Sequence, residues 1–337
     1  MAPEKGPTHV CKQSRFPHAP HLPALLIVQG PSMSGKSSAL QRLLTEVWIG
    51  SDGKSCFDRI YIFSPSVGST FEDGIDETWT PVKRMIETQI VDRSNPRRNA
   101  ETFFFDDLNA GAMEELAKII DLQHQMIELS RKKYGRKKEP QICILLDDVS
   151  DNPRFSKNPL LTKLYSRGRH ANITTVCSVH RSRGILNPVV RSQVTGVLFF
   201  KQRNYLELQA FLEEHSAMLP SRDDLERIYR VATAEPYQFL YVDLRASSVN
   251  DMFFIGFSQR IRVNIASPEM EADPFSNQTR DPVIGPTKGE YGQPAETTVM
   301  KPGTREQRLR FAPRPADATP HQLQKQGTLR TGRPSGL

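Results

Sequence analysis

The sequence predicts an α/β fold, a central and mostly parallel sheet with helices on both faces, and three observations carry that prediction. A wholly apolar run, Leu25, Leu26, Ile27 and Val28, leads through a glycine-bearing loop into a stretch with apolar residues at 40, 43, 44 and 47. A second apolar run at residues 142–146 stops on the acidic pair Asp147 and Asp148. Further apolar runs alternate with segments of helical spacing, the sequence form of repeated strand–helix–strand units.

The loop after the first run reads Gly30, Pro31, Ser32, Met33, Ser34, Gly35, Lys36, Ser37, Ser38, a full match to G-x-x-x-x-G-K-[ST] between strand and helix. Glycines there let consecutive N–H groups turn inward at a helix start whose dipole favours an anion. Lys36 is placed to reach β and γ phosphates, and the Ser37 hydroxyl to ligate Mg²⁺. ATP and Mg²⁺ are therefore the expected cofactors.

A second strand is expected at residues 59–63, a short edge element at 86–91, and another strand at 102–105. Apolar residues at 113, 116, 119, 120, 126 and 127 predict a long helix over 112–134, stopped by Gly135. It ends in a basic run containing Arg131, Lys132, Lys133, Arg136, Lys137 and Lys138. In the bland reading that run is a solvated face; in the sharper one it touches a phosphate backbone.

The run into Asp147 and Asp148 has the form of a Walker B strand, whose first acid holds Mg²⁺. The second can orient and polarise an attacking water, given a carboxylate within hydrogen-bond reach. A helix over 158–168 then leads into a strand at 173–179 that ends on His180, either a γ-phosphate sensor or a histidine satisfied at a strand end. Residues 188–191 precede a strand at 196–200. Helices at 205–218 and 222–234 and strands at 238–243 and 251–257 complete the sheet. Before Pro23 the chain reads as an irregular arm (1–22), followed by one domain (23–266). Residues 267–337 lack apolar periodicity and are expected to be disordered.

Composition narrows the partners. The chain of 337 residues carries a net charge of +7, an isoelectric point near 9.2 and a mean hydropathy of −0.49. The charge is concentrated: residues 131–203 hold sixteen Lys and Arg against four acids, a net of +12. Such crowding calls for an anionic partner. Cys11, Cys56, Cys143 and Cys177 are widely spaced and read as reduced thiols. Cys11 with His18 and His21 falls short of a zinc set. No apolar run approaches the length needed to span a bilayer, and the N-terminus lacks a signal-peptide core, so a soluble protein is expected and not an integral membrane one.

From about residue 25 to 263 the sequence resembles the genome-packaging ATPases of large DNA viruses, poxvirus-type, within the FtsK–HerA group. The resemblance rests on the Gly30 to Ser37 loop and on Leu145, Leu146, Asp147 and Asp148. It rests further on Arg167, Gly168, Arg169 and His170 ahead of a strand, on Pro188 with Arg191, and on the late strand ending at Asp243. It implies a RecA-like domain with the loop-bearing strand central and the sensor strand between it and the Walker B strand. It implies Lys36, Asp148 and His180 in catalysis, although the family usually has Gln where this chain has His180. Arg169 is implied as an arginine finger acting across a subunit boundary, with Arg191 the second choice. The implied partners are double-stranded DNA, copies of the same chain in a ring, and a capsid or membrane-bound capsid component. The implied location is the virus assembly site of an infected cell, cytoplasmic or nuclear, and the virion.

Competing classes fit less well. A switch GTPase should carry an Asn-Lys-x-Asp element, and none occurs. A small-molecule kinase would explain Arg-rich loops but not two adjacent acids suited to activating water. Another DNA pump or a helicase is closer to the main reading.

Overall fold

The computed structural model describes residues 11–68, 79–91, 101–105, 110–135, 139–148 and 158–263. Its frame is a nine-stranded sheet. In chain order the elements begin with β1 (Leu25–Gln29) and α1 (Lys36–Arg42), which runs on as a widened turn over Leu43–Val47. They continue with β2 (Arg59–Phe63), α2 (Thr80–Met85, extended over Ile86–Ile90), β3 (Phe104–Phe105), α3 (Ala110–Tyr134) and β4 (Ile142–Leu146). Next come α4 (Pro159–Arg167), a 3₁₀ turn at Gly168–Ala171, β5 (Ile173–Val179), α5 (Pro188–Ser192) and β6 (Gly196–Phe200). The last are α6 (Tyr205–His215), α7 (Arg222–Ala232), β7 (Phe239–Asp243), β8 (Phe253–Ile255) and β9 (Gln259–Arg260).

The strand order is β3-β2-β4-β5-β1-β6-β7-β8-β9. Strands β3 to β6 pair in parallel, and β7, β8 and β9 add on antiparallel. Every residue of β1, β4, β5 and β6 is buried, as strands covered on both faces require. The chain moves one way along the sheet from β1 to β2 and the other way from β4 to β5. Right-handed crossovers therefore put α1 and α4 on opposite faces. This is the α/β arrangement the sequence implies: β1 is central and β5 lies between β1 and β4.

Register aligns the chemistry. Gln29 lies opposite Val179, and Leu146 opposite Cys177. The residues that follow, Gly30, His180 and Asp147, therefore emerge together at the strand-finish edge of the sheet.

The sequence reading needs correction in several places. Residues 86–91 are no edge element: Ile86–Ile90 continues α2. Val82, Met85 and Ile86 are buried at a helical spacing, and Pro81 sits in the first turn, where its missing N–H costs nothing. The strand expected at 251–257 shrinks to β8, preceded by a 3₁₀ turn at Val249–Asp251, and β9 is an addition. Residues 11–22 are irregular but bound to the domain. Trp48 Nε1 donates to Pro20 O at 2.9 Å, Lys12 Nζ to Ser55 O at 2.7 Å, and Gln141 Nε2 to Lys12 O at 3.2 Å. All four cysteines are buried and none forms a disulfide with another. Burial pushes the Cys11 thiol up to about 11, helped by Glu139, and among the described residues no group of three or more His, Cys, Asp or Glu is placed to hold a metal. The 267–337 segment lies outside the described residues. Among those described, no helix is long and apolar enough to cross a membrane.

Candidate active site

The loop between β1 and α1 is shaped by two glycines. A Cβ on Gly30 would fall 2.7 Å from both Phe200 Cβ and Ser34 Oγ. Gly35 has φ of +95° and caps α1, accepting a hydrogen bond from Ala39 N at 3.0 Å. That left-handed backbone favours glycine. The turn it makes aims Lys36 back into the loop, where Nζ donates to Gly30 O at 2.9 Å and Pro31 O at 3.1 Å. Lys36 is buried. Desolvation lowers the pKa of its ammonium, and Asp148 and then Asp147 oppose that shift.

Asp147 follows β4 and is 3% exposed. Its Oδ2 accepts from Ser64 Oγ at 3.2 Å and lies 3.5 Å from Ser37 Oγ. Burial is the largest influence on its carboxyl and pushes its pKa up. Asp148 has a left-handed φ of +52°, unusual for a residue with a side chain and of the kind that concentrates at functional sites. His180, at the end of β5, lies between the two halves of the site. Its Nε2 is 3.0 Å from Asp148 Oδ1, and its Nδ1 is 3.4 Å from Lys36 Nζ and 3.3 Å from Gly30 O. Asp148 Oδ1 is inaccessible and accepts no hydrogen bond from the described residues, so the His180 approach is an electrostatic contact without hydrogen-bond alignment.

Five residues expected to share the site therefore do so: Lys36, Ser37, Asp147, Asp148 and His180. Ser64, which donates to Asp147 from the end of β2, was missed. Its only sequence signal is its place directly after a buried strand. Other expected residues lie elsewhere. Arg169 is exposed in the 3₁₀ turn that feeds β5, so the seven residues of that strand separate it from His180, about 23 Å at the rise of a parallel strand. Arg191 is paired within this chain: its Nη1 meets both carboxylate oxygens of Glu214 at 2.6 Å. Arg131 is likewise taken, its Nε 2.6 Å from the buried Glu139 carboxylate. Lys132 and Lys133 are exposed in the last turn of α3, whereas Arg136, Lys137 and Lys138 lie outside the described residues.

A buried carboxylate facing a hydroxyl is a donor set that fits Mg²⁺, which takes few protein ligands and keeps several waters. Ser37 and Asp147 are the residues that would hold it.

No family model matches the chain. It is 27% identical over 160 residues to the uncharacterized protein L437 of Acanthamoeba polyphaga mimivirus, covering 45% of this chain and 56% of that protein. The chain spans about half the length of the curated relatives it matches, at 56% and 49% of the first two. Among solved structures it is similar to B204, the DNA-packaging ATPase from Sulfolobus turreted icosahedral virus. The TM-score is 0.44 with 18% identity, over 70% of this chain and 97% of that one. It is also similar to EssC (ATPases 2 and 3) from Geobacillus thermodenitrificans, at TM-score 0.40 and 12% identity, over 70% of this chain and 40% of that one.

Proposed function

We propose that this protein is a Mg²⁺-dependent ATPase of the FtsK–HerA group, poxvirus-type, that drives double-stranded DNA into viral capsids at the site of virus assembly. The observation that carries the ATPase reading is the meeting of Lys36 and Ser37 with Asp147, Asp148 and His180 at one edge of the sheet. Lys36 binds β and γ phosphate oxygens, and Ser37 and Asp147 hold the metal, which neutralises charge on the phosphates when bound. Asp148 accepts a proton from the attacking water. His180, within 3.0 Å of Asp148 and 3.4 Å of Lys36, registers the γ-phosphate.

The ring reading is supported by Arg169. Because it lies at the strand-start edge, the nucleotide it can reach is a neighbour's, as a finger acting in trans requires. The DNA reading is supported by the sequence resemblance and by the concentration of positive charge in residues 131–203, with Lys132 and Lys133 exposed. A phosphate-directed contact of this kind binds any sequence alike.

The test is the rate of ATP hydrolysis with and without long duplex DNA at low salt. A marked stimulation that single nucleotides do not produce is expected. Hydrolysis indifferent to DNA at every salt concentration would remove the translocase reading and leave a plain ATPase.

A further inference from the structure

The reacting end of a nucleotide at this site is fixed by Asp147, Asp148 and His180. The base must therefore leave on the other side of the phosphate loop. On that side lies a cavity of about 630 Å³ whose walls include Met33, Ser38, Ala39, Arg42, Tyr237 and Phe239. A neighbouring hollow of about 320 Å³ shares Arg42, Tyr237 and Phe239. Tyr237 stands at both.

Tyr237 is unusual in three ways. The residue is 74% exposed, although Phe239, two residues on, is buried in the aromatic cluster with Phe200 and Phe257. Its Cδ1 lies so near the loop that a Cβ on Gly35 would meet it at 3.2 Å. Its φ is +63°, at the third position of a turn closed by Gln238 N donating to Glu235 O at 3.3 Å. That position suits Gly or Asn, and a bulky side chain is disfavoured there. A large aromatic has thus been set in a strained conformation, in water, against the phosphate loop.

Most polar groups of the cavity are otherwise engaged. Lys36 and Ser37 belong to the phosphates, and Arg42 turns to Glu46 with Nε–Oε2 of 3.2 Å; the Ser38 hydroxyl in the first turn of α1 remains. What is left for a base is the face of a ring, the apolar surfaces of Met33, 89% exposed, and Ala39, and the single Ser38 hydroxyl, which donates and accepts alike and so serves an amino group or a carbonyl equally.

We propose that Tyr237 is the stacking platform for the nucleobase, and that the base is held by its face and not read at its edge, so adenine and guanine nucleotides are accepted alike. This rests on the nucleotide-binding reading above. Every base has a π-face, so stacking tolerates the exchange, whereas discrimination needs placed donors and acceptors.

The experiment displaces a fluorescent ADP analogue from the full-length protein with ADP, GDP or inorganic tripolyphosphate, which has no base. The wild type should bind ADP and GDP within about threefold of each other. Tyr237→Ala should weaken both by about tenfold or more, the loss typical of a removed base stack, and leave tripolyphosphate unchanged. Tyr237→Phe should retain the affinity, and Tyr237→Asn, which suits the turn, should show the same loss as Ala without its backbone strain. Unchanged ADP affinity in both the Ala and Asn variants would overturn the proposal, as would equal losses for ADP and tripolyphosphate. A strong wild-type preference for ADP over GDP would overturn base-face recognition. Lys36→Ala should lose all three ligands. If the wild type itself bound none of them, the nucleotide-binding reading would fall, a result distinct from any failure at Tyr237.

Discussion

The two ends of the sheet treat buried charge in opposite ways. At the strand-start end, the Glu139 side chain is 1% exposed and fully engaged. It accepts from Arg131 Nε at 2.6 Å, Arg131 Nη2 at 3.4 Å and Asn172 Nδ2 at 3.1 Å, while Asn172 Oδ1 accepts from Cys11 Sγ at 3.6 Å. At the strand-finish end, Asp147 is as deeply buried but meets hydroxyls, and Lys36 donates to carbonyls of its own loop. Burial pushes the Asp147 carboxyl up and the Lys36 ammonium down. A charge compensated within the protein holds structure. One left under-compensated in a shaped site is held ready for a ligand, here a metal and a phosphate chain.

If that contrast is right, removing acids at the two ends should have different consequences. Asp148→Asn keeps the shape of the finish end and removes the group that accepts the proton. Turnover should fall by about 10²–10⁴, the usual worth of a positioned base, with nucleotide affinity retained. Wild-type turnover measured with this variant would end the water-activating assignment. At the start end, Glu139→Ala leaves Arg131 and Asn172 without their acceptor. Arg131, 43% exposed, can turn to water once the acid is gone, so the cost is that of the lost charged hydrogen bonds, about 1.5–3 kcal/mol, which denaturant unfolding would register. A loss of activity without loss of stability would show that this end, too, is functional.

The same contrast explains what could be read from residues alone. β2, β4, β5 and β6 have the expected bounds because both-face burial writes itself as an unbroken apolar run. The phosphate loop and the acidic pair were legible because their chemistry demands fixed residue types at fixed spacing. Helix α2 was not, because it follows a segment of polar and acidic residues and its buried residues, Val82, Met85 and Ile86, span little more than one turn. The Arg131–Glu139 and Arg191–Glu214 pairs were hidden for another reason. A basic residue in a basic run looks free until the fold supplies its acid, and Glu139 and Glu214 have no motif to announce them. Tyr237 is hidden in the same way: an aromatic in a turn gains meaning only when α7 and β7 deliver it to Gly35.

Basic residues at the start end offer a smaller effect. With Arg131 held by Glu139, Lys132 and Lys133 remain as the described cations of that run open to a phosphate backbone. Replacing both by Ser should make the log–log salt dependence of DNA affinity shallower by about 1.8 at most, at roughly 0.9 per phosphate contact. Arg131→Ser should instead lower stability. An unchanged slope in the double variant would move the DNA contact away from α3.

The smallest effect is also the one of least expected sign. Asp147→Asn should abolish metal-dependent hydrolysis yet stabilise the empty protein at neutral pH. Burial raises the folded-state pKa of Asp147 above the ordinary carboxylate value of about 3.9. The folded state therefore binds its proton more tightly than the unfolded chain. The stability this lends is fully present below about pH 3.9 and is lost as pH rises through the raised folded value. Asparagine keeps the shape and never ionises, so it escapes the loss. Lys36 is not stranded, because Asp148 is the stronger of the two carboxylate influences on it. The melting-temperature difference between variant and wild type should be near zero in acid, grow across the carboxylate range and level off above it. Each kcal/mol gained raises the melting temperature by about 2–4 °C in a domain of this size. Glu139→Gln at the other end should instead lose stability at pH 7, because it removes a carboxylate that Arg131 and Asn172 both donate to. Should Asp147→Asn destabilise the protein at pH 7, its carboxylate would be as well compensated as that of Glu139, and the distinction between the two ends would fail.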